Sequence, residues 1–322
     1  MIDTRLILVE GLPGSGKSTT AQFIAKCLSD NGIPNKWWYE EEQGHPVYFF
    51  NSSEEIQGVI NDLSAGKYED VIDKALKQWE VFCNSLISVE KVLVIDSAFF
   101  GYLTWTLFPF GVPHEVIEKY LIEVESMISP FKPSLIYFYQ EDIHCSLKEI
   151  CDKRGGNTQE RFIRNATESK YGRDRNLVGF VGMVQFWQEY RSLTDRIFER
   201  TTLRKLAIDN SVGNWAEYLS QITEFLKVTE TKITYFDPEE VNSIVGIYKN
   251  SNVTCEIYQI NGELYINSFK GIWPNSHLLR RGRNRFEIES LPIQVEFIED
   301  KMTITGPQLF DGAINNELFK QS

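Results

Sequence analysis

Gly11-Leu12-Pro13-Gly14-Ser15-Gly16-Lys17-Ser18-Thr19 is the stretch that decides the fold. It is a complete Gly-x-x-x-x-Gly-Lys-Ser loop. The apolar run Leu6-Ile7-Leu8-Val9 precedes it, and Ala21, Ile24, Ala25 and Leu28 follow at helical spacing. Strand, loop and helix in that order let backbone N–H groups converge on a polyphosphate, with the helix N-terminus adding positive potential. Lys17 supplies a point charge for the β- and γ-phosphates, and the Ser18 hydroxyl is a ligand for Mg²⁺. Gly11, Pro13, Gly14, Ser15, Gly16, Lys17, Ser18 and Thr19 are therefore the expected phosphate cradle, and ATP with Mg²⁺ the expected ligand pair.

Outward from the loop, strand-like and helical runs alternate over the first 230 or so residues. Lys36-Trp37-Trp38-Tyr39 opens into Glu40-Glu41-Glu42. A helix is expected at about 54–63, then a longer one with Ala75, Leu76, Trp79, Phe82, Cys83 and Leu86 on one face. Val92-Leu93-Val94-Ile95 is the continuous apolar run of a strand buried on both faces. Ile117, Tyr120, Leu121, Val124 and Ile128 mark a helix closed by Pro130 and Pro133. Leu135 to Tyr139 and Leu206 to Ile208 supply the remaining strands. The alternation predicts an α/β fold, a doubly wound parallel sheet of the P-loop NTPase type, whose ligands gather beyond the carboxyl ends of the strands.

Past Leu226 the pattern changes. A polar connection at 229–237 and a short helical turn at 238–241 lead into short alternating strands. Asn261-Gly262 lies between Cys255–Ile260 and Glu263–Ile266, and Glu299-Asp300-Lys301 separates 293–298 from 302–304; both read as hairpins. The expected organisation is an α/β domain at 1–228 and a small antiparallel β domain at 229–322.

Bulk composition narrows the function classes. The 322 residues are 42% apolar and 24% charged, with a net charge of -12. That balance disfavours nucleic-acid and anionic-membrane partners. The five cysteines show no C-x-x-C pairing and sit in apolar patterns, as buried reduced thiols do. No apolar run approaches the length of a bilayer span, and the chain starts without a signal peptide, so a cytoplasmic protein is expected.

The residues after each strand carry the expected chemistry. Asp96, ending the 92–95 strand, is placed to organise Mg²⁺ or to take a proton; capping the following helix is its simpler role. One of Glu40, Glu41 and Glu42 suits a general base, Glu41 placed first. Arg154, Arg161, Arg164, Arg173 and Arg175 form a cation-rich segment suited to a lid over phosphates. His45, in a loop before Pro46, is either a pocket residue or a structural one.

On the phosphate loop, the acidic segment after strand two, Val94-Ile95-Asp96-Ser97, Pro133 to Tyr139, Lys153-Arg154-Gly155-Gly156 with Glu160-Arg161, and Leu206 to Asp209, the chain resembles the thymidylate kinase and deoxynucleoside kinase group of P-loop kinases over residues 4–227. The resemblance implies phosphoryl transfer from ATP, with Arg154 and Arg161 as leading lid residues. Two departures bear on the acceptor. Thymidylate kinases usually carry an arginine where this chain has Ser97, and another near Trp38-Tyr39. A neutral or cationic hydroxyl compound, nucleoside-like or otherwise, therefore fits better than a nucleoside monophosphate, the alternative acceptor. Trp37, Trp38, Tyr39, Phe99, Phe100, Tyr102 and Trp105 are candidate pocket aromatics as well as candidate core. A nucleotide-driven switch acting through the β domain is the rival from another class. The β domain resembles small lipocalin-like modules, its Arg280-Arg281-Gly282-Arg283-Asn284-Arg285 run being either an anion dock or a solvated hairpin, and a homodimer is a further expectation.

Overall fold

The computed structural model describes residues 3–230, 243–267, 275–310, 312 and 314–321, with the backbone alone at 103–105. The expected polar connection and helical turn at 231–241 lie outside the described residues, as does the side chain of Trp105. Two compact units are present: one comprises Met1–Glu40 with Gly44–Thr229, the other Glu41–Gln43 with Glu230–Ser322.

The first unit is built on five parallel strands. β1 (Leu6–Gly11), β2 (Asn35–Trp38), β3 (Val92–Asp96), β4 (Ser134–Tyr139) and β5 (Arg204–Asp209) stand in the order β2-β3-β1-β4-β5. Leu6 pairs with Leu93 and Val9 with Asp96 on one side of β1; Gly11 pairs with Phe138 on the other. β3 is buried along its whole length, as a central parallel strand requires. With β1 in the middle, its loop opens between β3 and β4. This is the P-loop NTPase fold.

The helices follow from the apolar spacing. α1 (Lys17–Asp30) buries Ala21, Ile24, Cys27 and Leu28. α2 (Ser53–Ser64) starts at Ser52, whose side chain accepts from the Glu55 N–H at 3.2 Å. α3 (Tyr68–Ile87) buries Ala75, Trp79, Phe82, Cys83 and Leu86, and α5 (His114–Ile128) buries Ile117, Tyr120, Leu121, Val124 and Ile128. Between them lies the short α4 (Gly101–Thr106). α6 (Ile143–Arg154), α7 (Thr158–Thr167) and α8 (Lys170–Asp174) carry the arginine-rich segment. The stretch after it, to which no element is assigned above, forms the longest described helix, α9 (Gly179–Arg200). Its core stripe, Met183, Phe186, Trp187, Tyr190, Leu193 and Ile197, has plain helical spacing. α10 (Trp215–Leu226) ends the unit.

The second unit is a closed antiparallel barrel of β6 (Gly246–Lys249), β7 (Thr254–Ile260), β8 (Glu263–Asn267), β9 (Ser276–Arg280), β10 (Arg285–Ile288), β11 (Gln294–Ile298), β12 (Lys301–Thr305) and β13 (Asn316–Lys320). Each strand pairs with its sequence neighbour, and β13 closes on β6. Asn261 and Gly262 both take positive φ, 52° and 90°, which the expected two-residue turn demands. The second hairpin is tighter than expected: Ile298 pairs directly with Lys301, so Glu299 and Asp300 alone make the turn. Tyr248, Cys255, Ile257, Ile266, Ile288, Val295, Phe297, Met302, Ile304 and Leu318 all point inward and are 2% exposed or less. A small barrel filled this way is a packed core.

Among the cysteines the expectation needs one correction. Cys27, Cys83, Cys151 and Cys255 are buried and free, but Cys145 is exposed, because it lies in the first turn of α6 at the rim. No helix among the described residues is long and apolar enough to cross a membrane.

Candidate functional site

β1 delivers the chain into the loop, and each loop glycine answers a specific contact. At Gly11, with φ 150°, a Cβ would lie 2.6 Å from the Phe138 carbonyl oxygen. Gly14, at φ 79°, faces Ile150 on α6, and Gly16, at φ 94°, lies against the Trp215 ring on α10, where a Cβ would come within 2.1 Å of Cη2. Left-handed backbone and close approach together leave room for glycine alone. Asn210, just past β5, donates from Nδ2 to the Ser15 carbonyl at 2.9 Å and fixes the crest of the loop. Lys17 opens α1, and its ammonium donates to the Leu12 carbonyl at 3.0 Å across the loop.

Asp96 lies beside this cradle. Its side chain is fully buried; Oδ1 accepts from the Glu40 N–H at 3.0 Å, and the carboxyl also hydrogen-bonds Ser18. Oδ2 is buried without a hydrogen-bond partner. Burial pushes the Asp96 carboxyl well above the usual carboxylate range, the Glu40 charge adds to this, and Ser18 and Lys17 pull the other way. The helix-capping role considered for Asp96 is absent; it faces the loop instead. Ser18 and Asp96, the latter with one buried oxygen lacking a hydrogen-bond partner, form a donor set of hard oxygens that fits Mg²⁺.

The three glutamates separate. Glu40 is the one whose backbone holds Asp96 and whose charge acts on it. Glu41, placed first from sequence, falls with the second unit, where its carbonyl accepts from the Phe310 N–H at 3.1 Å. Glu42 forms a bridge with Leu309 in the same unit.

Of the lid candidates, Arg154 ends α6 with its guanidinium 5.9 Å from the Phe162 ring centre, and Arg161 and Arg164 are exposed on α7. Arg175 lies 3.7 Å over the Tyr171 ring. Most of the candidate pocket aromatics are core: Trp37, Tyr39, Phe99, Phe100 and Tyr102 are each 8% exposed or less. His45 is buried, stacked on Tyr48 at 4.1 Å and edge-on to Trp38 at 5.9 Å, with both ring nitrogens unpartnered. Burial pulls its pKa down to about 3, so it is neutral at physiological pH. In the barrel, the arginine run is largely internally paired: Arg281 meets Glu287 at 2.7 Å, Arg285 meets Glu296 at 2.8 Å, and Arg280 donates to the Gly282 and Arg283 carbonyls. That is a hairpin holding itself together.

Sequence reasoning missed three positions that shape the site. Glu10 is a lone acid ending an apolar strand directly before the loop, a readable signal. Asn210 follows the last strand, where ligands are expected to gather, but its bond to Ser15 and the contact of Trp215 with Gly16 carried no signal, because they depend on which strand lands beside β4.

Strand order, phosphate loop and the Lys17–Ser18–Asp96 grouping together define a P-loop NTPase fold with a nucleotide-type cradle. No protein-family profile matches the chain, and no curated protein matches it. Among solved structures, it is similar to a thymidylate kinase from Ehrlichia chaffeensis, at 12% identity and a TM-score of 0.38, covering 70% of this chain and 98% of that one. It is also similar to EHV4-TK complexed with Thy and SO4, at 10% identity and a TM-score of 0.31, covering 69% and 90%. Likenesses this loose carry no argument about activity, and the fold stands on its own strand order and loop.

Proposed function

We propose that the protein is an ATP-dependent phosphotransferase that moves the γ-phosphate to a hydroxyl of a small molecule lacking a phosphate of its own. The observation that carries this reading is the convergence of Lys17, Ser18 and the buried Asp96, itself tied to Glu40, at the carboxyl ends of β1, β2 and β3. Lys17 exchanges its Leu12 carbonyl for the β- and γ-phosphates, and the loop amides hold the polyphosphate. Ser18 and Asp96 would hold Mg²⁺, which when bound would supply neutralisation of the triphosphate charge. Glu40, whose charge acts on Asp96, is the better-placed proton acceptor for the attacking hydroxyl, and Arg154 and Arg161 are the lid residues that the kinase resemblance implies. Segments 37–50 and 96–102 contain no arginine, and Lys36, 4.5 Å over the Trp38 ring, is the one cation bordering the first of them; this scarcity supports an acceptor without a phosphate of its own.

Screening nucleosides, nucleoside monophosphates and aminated polyols with γ-labelled ATP, using wild type and Lys17→Ala, tests the proposal. Label on an uncharged or cationic hydroxyl compound, lost in Lys17→Ala, is the expected result. Label on monophosphates alone would overturn the acceptor assignment. Hydrolysis without any labelled product would favour the switch.

A further inference from the structure

Glu10 has no part in that chemistry, yet it is fully buried directly before the phosphate loop. Its two oxygens accept from the Phe99 N–H at 2.6 Å and the Gly101 N–H at 3.1 Å. Ser97, held at φ 58°, donates its own N–H to the Val9 carbonyl at 3.0 Å. The 96–101 turn therefore hangs from the last two residues of β1 before the loop by three hydrogen bonds. It is packed tight: a Cβ on Gly101 would lie 2.6 Å from the Ser97 Cβ and 3.9 Å from a Glu10 oxygen. The first residue of that turn is Asp96, and β1 leads on through the loop to Lys17 and Ser18. A buried carboxylate is an expensive way to pin a turn, since apolar packing would hold it at lower cost. Its position links the two halves of the metal-facing pair, one half at each end of the tie.

We infer that Glu10 is a positioning residue for the metal side of the nucleotide site, holding the 96–101 turn against β1 so that Asp96 stays in register with Ser18. This rests on the phosphotransferase reading above.

Glu10→Gln keeps the shape but turns one acceptor into a donor facing an N–H. ATP affinity is to be measured with Mg²⁺ and with chelator, alongside hydrogen exchange at the Phe99 and Gly101 amides. The expected result is a chelator affinity within about twofold of wild type, a Mg²⁺ enhancement reduced about 10- to 100-fold, and faster exchange at both amides. Equal loss with and without Mg²⁺ would reduce Glu10 to a fold brace and overturn the inference, as would an unchanged enhancement. If Glu10→Gln fails to fold, Gly101→Ala displaces the same turn from its other side and must show the same Mg²⁺-selective loss. A wild type that binds no ATP overturns this inference together with the reading beneath it; a binding wild type whose variant tracks it overturns the inference alone.

Discussion

His45 is buried against Tyr48 with neither ring nitrogen hydrogen-bonded. Two buried ring nitrogens without partners cost about 1–3 kcal/mol each, and the ring escapes a larger cost by staying neutral. Its pKa in the folded chain, about 3, lies below the ordinary histidine value of 6.5. The unfolded chain therefore takes up a proton first as pH falls. The stability this neutral ring contributes is complete above about pH 6.5 and is lost progressively toward pH 3, by about 2 kcal/mol already at pH 5. His45→Phe keeps the stack on Tyr48 and removes the titrating group. Melting temperatures at pH 8 and pH 5 should converge in this variant relative to wild type; a wild-type gap left intact would show that His45 does not carry the acid sensitivity. Lys17 is the opposite case: a buried charge whose hydrogen bond goes to the Leu12 carbonyl, the partner that a phosphate would replace under the proposed function.

The phosphate loop works as an element because three others press on it: Phe138 from β4, Ile150 from α6 and Trp215 from α10. Gly16→Ala meets both the Trp215 ring and the penalty of φ 94° for a residue with a Cβ. A loss of about 2–4 kcal/mol in stability, with ATP binding abolished, is expected from denaturation and titration. Gly16→Ala combined with Trp215→Ala removes the clash but not the backbone strain, so it should recover only part of the binding. Full recovery would show that the ring alone dictates glycine there. The loop itself was legible in sequence because its spelling and flanking periodicities agree. Its supports were not, because Gly16 and Trp215 are brought together only by the placement of β5 beside β4. The same reason separates Glu40 from Glu41: three adjacent acids look alike in sequence, and only the fold sends the Glu40 amide to Asp96.

At the scale of the whole molecule, the parallel sheet and the small β unit were both readable, the first from strand–helix alternation and the second from Asn261-Gly262. Closure was implied by the lipocalin-like resemblance alone: pairing of β13 with β6 joins residues some seventy positions apart and leaves no local mark. Lys17, Ser18, Asp96 and Glu40, the residues assigned to the proposed chemistry, all lie in the first unit. Everything proposed for this unit depends on its binding magnesium-ATP through Lys17. Calorimetric titration of ATP with Mg²⁺ into wild type and Lys17→Ala tests it most directly. One nucleotide per chain is expected for wild type and an affinity at least about 30-fold weaker for Lys17→Ala, the cost of removing one partner from a close charge pair. Equal affinities for the two proteins, or no binding to wild type, would contradict it.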